Sequence, residues 1–178
     1  LRRSRGLGDV YKRQGFWLGT NLITALIAAS VINIFKETLE QVIFLAVLMP
    51  IIASMGGVAA TQTLTITVRG LALGQIVRAN YLYIFNRELL VGISNGFIWA
   101  VILSLIACSW FQDWLLAWVI CLSMIINLVA GVLSGMGIPI LLKSLKMDPA
   151  VAGSVIVTTV TDVIGFFSFL GLASYFYS

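Results

Sequence analysis

The chain contains no histidine, two cysteines, three prolines and only 10% charged residues. Without histidine, and with no thiolate pair placed as ligands, zinc and copper sites built from imidazole and thiolate are excluded. Cys108 and Cys121 both fall in apolar stretches, where they read as small packing residues rather than a disulfide. The low charge excludes an ordinary soluble domain, which carries about 25% charged residues. No phosphate-cradling glycine loop is visible, so the sequence offers no sign of a nucleotide-driven machine. It shows no constellation suited to an enzyme: the internal acids Asp148 and Asp162 stand 14 residues apart. That is about 21 Å along a helix.

Apolar sequence is abundant. Sixty per cent of the 178 residues are hydrophobic, and sixteen are glycine. This is an integral membrane protein, and the lipid bilayer is its solvent. Its helices must associate through small residues and polar contacts, because lipid is as apolar as leucine. The formal charge of +4 comes from basic residues confined to short loops and the N-terminus. Basic residues so placed anchor topology; nucleic acid is not an expected partner.

Five segments are long enough to span: Phe16–Phe35, Val42–Val68, Leu89–Phe111, Trp114–Leu142 and Val151–Phe176. Each reaches the roughly 20 residues that a bilayer requires. The expected fold class is an all-α integral membrane protein with five transmembrane helices. Lysine and arginine in the intervening loops number five on one side (Arg69, Arg78, Arg87, Lys143, Lys146) and one on the other (Lys36). The positive-inside rule then puts the N-terminus in the cytoplasm and the C-terminus outside. Trp110, Trp114, Tyr175 and Tyr177 fall where an outer aromatic belt is expected.

The first fourteen residues, LRRSRGLGDVYKRQ, are basic and lack an apolar face. The string GLGDVYKRQ resembles a translated sequencing adapter. Residues 1–14 are therefore expected to be a non-native tail, with upstream sequence cut away.

Asp162 is the residue that points to function. It lies 11 positions beyond Val151 in a stretch with no other charge. That is about 16 Å along a helix, near the middle of a hydrocarbon core about 30 Å thick. An acid at that depth costs about 2.5–3.5 kcal/mol on insertion scales. Such a residue faces water, an ion or a partner. Ser154, Thr158, Thr161, Asp162 and Gly165 recur at three- and four-residue spacing, which makes a polar, small-residue stripe. Asn127 on the fourth segment and Thr61, Gln62, Thr63, Thr65 and Thr67 on the second offer further polar lining. Pro50 with Gly56 and Gly57, and the glycines near Pro139, permit helix breaks. Such breaks serve either packing or the exposure of carbonyls along a pathway. The available donors are hard oxygens. One carboxylate per chain suits a hydrated Mg²⁺, which gives up its waters reluctantly. Protons, Na⁺, Mn²⁺ and Co²⁺ remain open on residues alone.

Several stretches resemble the transmembrane domain of the MgtE magnesium transporters. They are MPIIASMGG (Met49–Gly57), TQTLTITVRGLALG (Thr61–Gly74), RELLVG (Arg87–Gly92), GIPILLK (Gly137–Lys143), DPA (Asp148–Ala150) and TTVTDVIGFFSFLGLA (Thr158–Ala173). The resemblance runs from about Phe16 to Ser178, so residues 15–178 correspond to the family's transport domain. It implies a homodimer with five helices per subunit, in the bacterial inner membrane. The pore would lie at the dimer interface between the second and fifth segments. It implies Mg²⁺ as the transported ion and as ligand of Asp162, with Asp148 at the cytoplasmic mouth. Gly56, Gly57, Thr158, Thr161 and Asn127 are then expected along the pore. Family members usually carry a cytosolic N-terminal domain and a CBS pair, which this sequence lacks. A second departure is Val58, where the family usually has asparagine. It leaves a broader divalent specificity, or a non-transporting scaffold, as alternatives to Mg²⁺ uptake.

Overall fold

The structure is a computed structural model. It describes residues 2–77 and 79–177, with the backbone alone for residues 2–7, 9, 13 and 151. Six helices follow in order: α1 (Arg2–Ile34), α2 (Lys36–Gln41), α3 (Phe44–Ala72), α4 (Tyr81–Phe111), α5 (Trp114–Ser144) and α6 (Val151–Tyr177). Among the described residues there is no strand. Five helices are long and apolar enough to cross a membrane, and α2 is a short connecting turn of helix. The five expected spans are all present. The shared all-helical form follows from the bilayer, where each backbone polar group must be satisfied within its own segment.

The helices differ from the sequence expectation in three places. α1 starts before the expected Phe16, and its apolar span runs Val10–Ile34. α4 starts at Tyr81, so Arg87 and Glu88 lie within a helix rather than in a loop. Asn80 makes that early start possible. Its Oδ1 accepts from Val77 N–H at 2.9 Å and its Nδ2 donates to Gln75 O at 2.7 Å, closing the preceding loop on itself. α3 and α5 run without interruption through Pro50 and Pro139, so neither helix breaks. Gly56 of α3 and Gly131 and Gly135 of α5 serve close packing instead.

α5 is the centre of the bundle and packs against α3, α4 and α6. α3 also packs on α6, whereas α3 and α4 barely touch. α1 lies against α6, where Phe35 meets the edge of Phe167 with ring centroids 5.7 Å apart. Small residues set the α3–α5 distance. A Cβ on Gly131 would stand 2.8 Å from Gly56 O, and one on Gly135 would stand 2.5 Å from Ala60 O. Neither position has room for a side chain, as expected where helices associate by backbone approach. The main apolar core joins Leu45, Leu48 and Ile52 of α3, Leu116, Ile120 and Met124 of α5, and Phe169 and Leu170 of α6.

Each end of the bundle is tied by a polar contact. At one end, Asp113 caps α5 by accepting from Leu115 N–H at 2.8 Å and Leu116 N–H at 3.1 Å. The same carboxylate accepts from the Tyr177 hydroxyl, which joins the α4–α5 turn to the end of α6. At the other end, Lys143 Nζ donates to Leu71 O at 3.0 Å. That lysine adds a second donor to a carbonyl that also accepts from Gly74 N–H at 3.4 Å, and it opposes the negative end of the α3 dipole. Arg69 lies in the last turn of α3, so the basic loop residues gather at this end.

Candidate functional site

The site is built where α3 and α6 lie side by side. Their alignment can be read from paired small residues. A Cβ on Gly153 would stand 3.0 Å from Leu64 Cδ1, and one on Gly57 would stand 3.9 Å from Thr161 Oγ1. Ala60, Leu64 and Val157 close the seam between these levels. Asp162 follows Thr161 directly, so it lies at the depth of Gly57. It is half-buried, as are Thr158 and Gly57.

α3 turns one face away from its neighbours along its whole length. Val47, Ile51, Ser54, Val58, Thr61, Thr65 and Arg69 are exposed at three- and four-residue spacing. In the middle of that face, the hydroxyls are arranged alike. Thr61 Oγ1 donates to Gly57 O at 2.8 Å, and Thr65 Oγ1 donates to Thr61 O at 2.8 Å. On α6, Thr158 Oγ1 donates to Ser154 O at 2.9 Å. Each hydroxyl has one proton, and here the helix takes it. What remains outward is oxygen lone pairs. Threonines that back-bond in this way present acceptors without donors, which suits a cation and its water shell.

Behind this face the sequence-expected residues separate into two groups. Asn127, Gly56 and Thr161 are buried, and Gly57, Thr158 and Asp162 are half-buried. The Asn127 amide is fully enclosed and donates from Nδ2 to Ile52 O at 2.8 Å. Gly56 and Gly165 make room for it: a Cβ on Gly165 would stand 2.7 Å from Asn127 Nδ2, and one on Gly56 would overlap the amide. Among the described residues Asn127 Oδ1 has no hydrogen-bond partner. Asn127 therefore joins α3, α5 and α6 from the inside, with both glycines as its seat. Asp148 precedes α6 and is exposed. It accepts from Ala150 N–H at 2.9 Å at the start of α6.

Among the described residues no group of three His, Cys, Asp or Glu side chains could hold a metal. Asp162 is the single acid of α6, and it shares that helix with the hydroxyls of Thr158 and Thr161. The internal role of Asn127 is the feature that sequence reasoning missed. The signal was present in the spacing of Gly56 and Gly165, but nothing in one sequence pairs residues on three helices.

Five apolar helices packed about α5, with hydroxyls exposed on the outer side of α3, define a multi-pass membrane protein. The family model for MgtE, described as divalent cation transporter, matches residues 49–172. The chain belongs to this family. It is 33% identical over 160 residues to the magnesium transporter MgtE of Bacillus subtilis, covering 90% of this chain and 36% of that protein. The magnesium transporter MgtE of Enterococcus faecalis is 29% identical over 160 residues, covering 90% of this chain and 35% of that protein. The MgtE of Thermus thermophilus is 29% identical over 157 residues, covering 88% and 35%. The chain thus spans about a third of the length of these curated relatives. Its bacterial relatives and apolar helices fit a multi-pass protein of a bacterial inner membrane.

Proposed function

We propose that this chain is the membrane core of a Mg²⁺ uptake pathway, with two copies facing each other across the exposed surface of α3 and α6. The observation that carries the reading is the acceptor-only face of Thr61 and Thr65, one and two turns along α3 from Gly57, which lies at the depth of Asp162. Paired across a two-fold axis, two such faces would enclose a channel lined by oxygen. Asp162 from each copy would raise cation occupancy at mid-membrane. The Gly57 backbone would approach the ion's waters, with Thr158 beside it. Gly56, Thr161 and Asn127 support the lining helices from behind. Asp148 stands at the cytoplasmic end by the loop-charge orientation.

Transport needs no chemical energy. Inward movement of a divalent cation gains about 4.6 kcal/mol per 100 mV of membrane potential. Val58 is a reason to keep a second reading, a pore of broader divalent specificity that also passes Mn²⁺ or Co²⁺. It stands exposed on α3, on the face of Thr61 and at the edge of the α3–α4 cleft, and it offers no amide to an ion's waters. Competition at fixed Mg²⁺ separates the two.

The test is growth and Mg²⁺ uptake in a bacterium lacking its own magnesium transporters, with membrane expression verified. The wild-type chain should restore uptake, and Asp162→Ala should abolish it while keeping the dimer. Full uptake by Asp162→Ala would overturn the assignment of the pathway. A wild-type chain that assembles but moves no divalent ion would favour a membrane scaffold.

A further inference from the structure

A second polar site lies on the other flank of α3. α4 rests on α5, because Gly92 and Gly96 let it approach closely. A Cβ on Gly92 would stand 2.5 Å from Val132 Cγ2, and one on Gly96 would stand 3.6 Å from Leu128 Cβ. Drawn to α5 in this way, α4 barely meets α3. A cleft of about 380 Å³ is left between them, with Leu128 and Val132 of α5 at its base.

The walls of that cleft are largely apolar but carry four polar side chains. Glu88 and Asn95 come from α4, and Gln62 and Thr63 from α3. Glu88, Gly92, Asn95 and Trp99 recur at three- and four-residue spacing, so one face of α4 carries them all. Glu88 is half-buried. Among the described residues, no ion pair or hydrogen bond engages the side chains of Glu88, Asn95 or Gln62. Polar groups at membrane depth are tolerated where they line a wet cavity or meet a partner. The lining supplies a carboxylate, two amides and a hydroxyl. It contains no lysine or arginine, so it is poorly suited to a phosphate headgroup. It contains no histidine or cysteine, so it offers no soft or imidazole ligand. Oxygen donors with one negative charge suit a hard divalent cation that keeps its waters. Six waters at about 30 Å³ each occupy on the order of 200 Å³, which the cleft accommodates.

We propose that the α3–α4 cleft is a divalent-cation site within each subunit, holding a hydrated ion against Glu88 with Gln62 and Asn95 around its waters. No residue of α6 lines it, and it shares only Val58 with the hydroxyl face of α3. Its existence does not depend on the transport reading.

The experiment is a Mn²⁺ titration of the full chain in phosphatidylcholine nanodiscs, followed by electron paramagnetic resonance. Wild type, Asp162→Asn, Glu88→Gln and Asn95→Ala are compared. Glu88→Gln should bind about one Mn²⁺ fewer per chain, while Asp162→Asn keeps that ion. Asn95→Ala should weaken the same class of site roughly tenfold. Wild-type stoichiometry and affinity in Glu88→Gln would overturn the proposal. If Glu88→Gln does not assemble, unchanged binding in Asn95→Ala overturns it. Native mass spectrometry showing a phospholipid retained by wild type and lost in Glu88→Gln, with Mn²⁺ binding unchanged, also overturns it. Loss of Asp162-dependent uptake alone leaves the Glu88-dependent count intact, so the two readings fail separately.

Discussion

Asn127 on α5 donates its amide to the carbonyl of Ile52 on α3, 75 residues away in sequence, at 2.8 Å. The amide sits between Gly56 and Gly165, so three helices meet at one side chain. Removing it should loosen the wall behind the Asp162 face. Interhelical hydrogen bonds in membranes average about 0.6 kcal/mol and reach about 1.7, and truncation adds a cavity. Asn127→Ala should therefore destabilise the protein by about 1–3 kcal/mol. Thermal unfolding in a fixed detergent measures it, and an unchanged midpoint would show that the contact is dispensable.

Gly56 and Gly57 are adjacent but should respond oppositely to the same change. A methyl on Gly56 meets the Asn127 amide, whereas a methyl on Gly57 has only an ordinary contact with Thr161. Gly56→Ala should cost about 1–3 kcal/mol by overpacking. Gly57→Ala should be neutral or gain up to about 1 kcal/mol from helix propensity. Paired thermal unfolding checks the contrast. In an Asn127→Ala background the penalty of Gly56→Ala should shrink, and simple additivity would argue against the shared seat.

The hydroxyl face of α3 should matter to ion flow more than to folding. Thr61→Val and Thr65→Val keep the side-chain shape and remove the outward oxygen. The lost back-bonds lie on an exposed face, so unfolding midpoints should barely move. Each substitution should lower Mg²⁺ uptake about two- to tenfold, the equivalent of one modest polar contact. Equal uptake in both variants would separate this face from the pathway.

Asp113 should be the most sensitive position at its end of the bundle. It caps α5 and receives the Tyr177 hydroxyl. Asp113→Ala should cost about 0.5–2 kcal/mol from the cap alone. Tyr177→Phe should cost less, about 1 kcal/mol, because the cap survives. Unfolding midpoints rank the pair, and a larger loss in Tyr177→Phe would contradict the capping account.

Much of the fold was legible because the bilayer enforces length and hydrophobicity. Trp114–Leu142 and Val151–Phe176 were expected within two residues of the helices found. The boundary of α4 was not, because Tyr81–Glu88 mixes aromatic residues with charge and reads like a loop. The loop before it is closed by Asn80, a contact that composition does not show. Pro50 and the paired glycines pointed to a break, yet α3 is continuous. A glycine signals close approach as readily as flexibility, and only the neighbouring helix tells which. Within the candidate site, the stripe containing Thr158 and Asp162 was plain from its spacing. The enclosure of Asn127 was not, since it depends on Gly56, Gly165 and Ile52 arriving from separate helices.

The central place of α5 has a consequence for how the chain is made. α1, α3 and α4 leave the ribosome before α5 does, and their main packing partners are α5 and α6. Through most of synthesis the bilayer holds separate spans with little to grip one another. Assembly must then wait on the last two helices, as in a two-stage scheme where insertion precedes association. A nascent chain arrested before Trp114 would be inserted but unassembled, and so open to the quality-control proteases of the membrane.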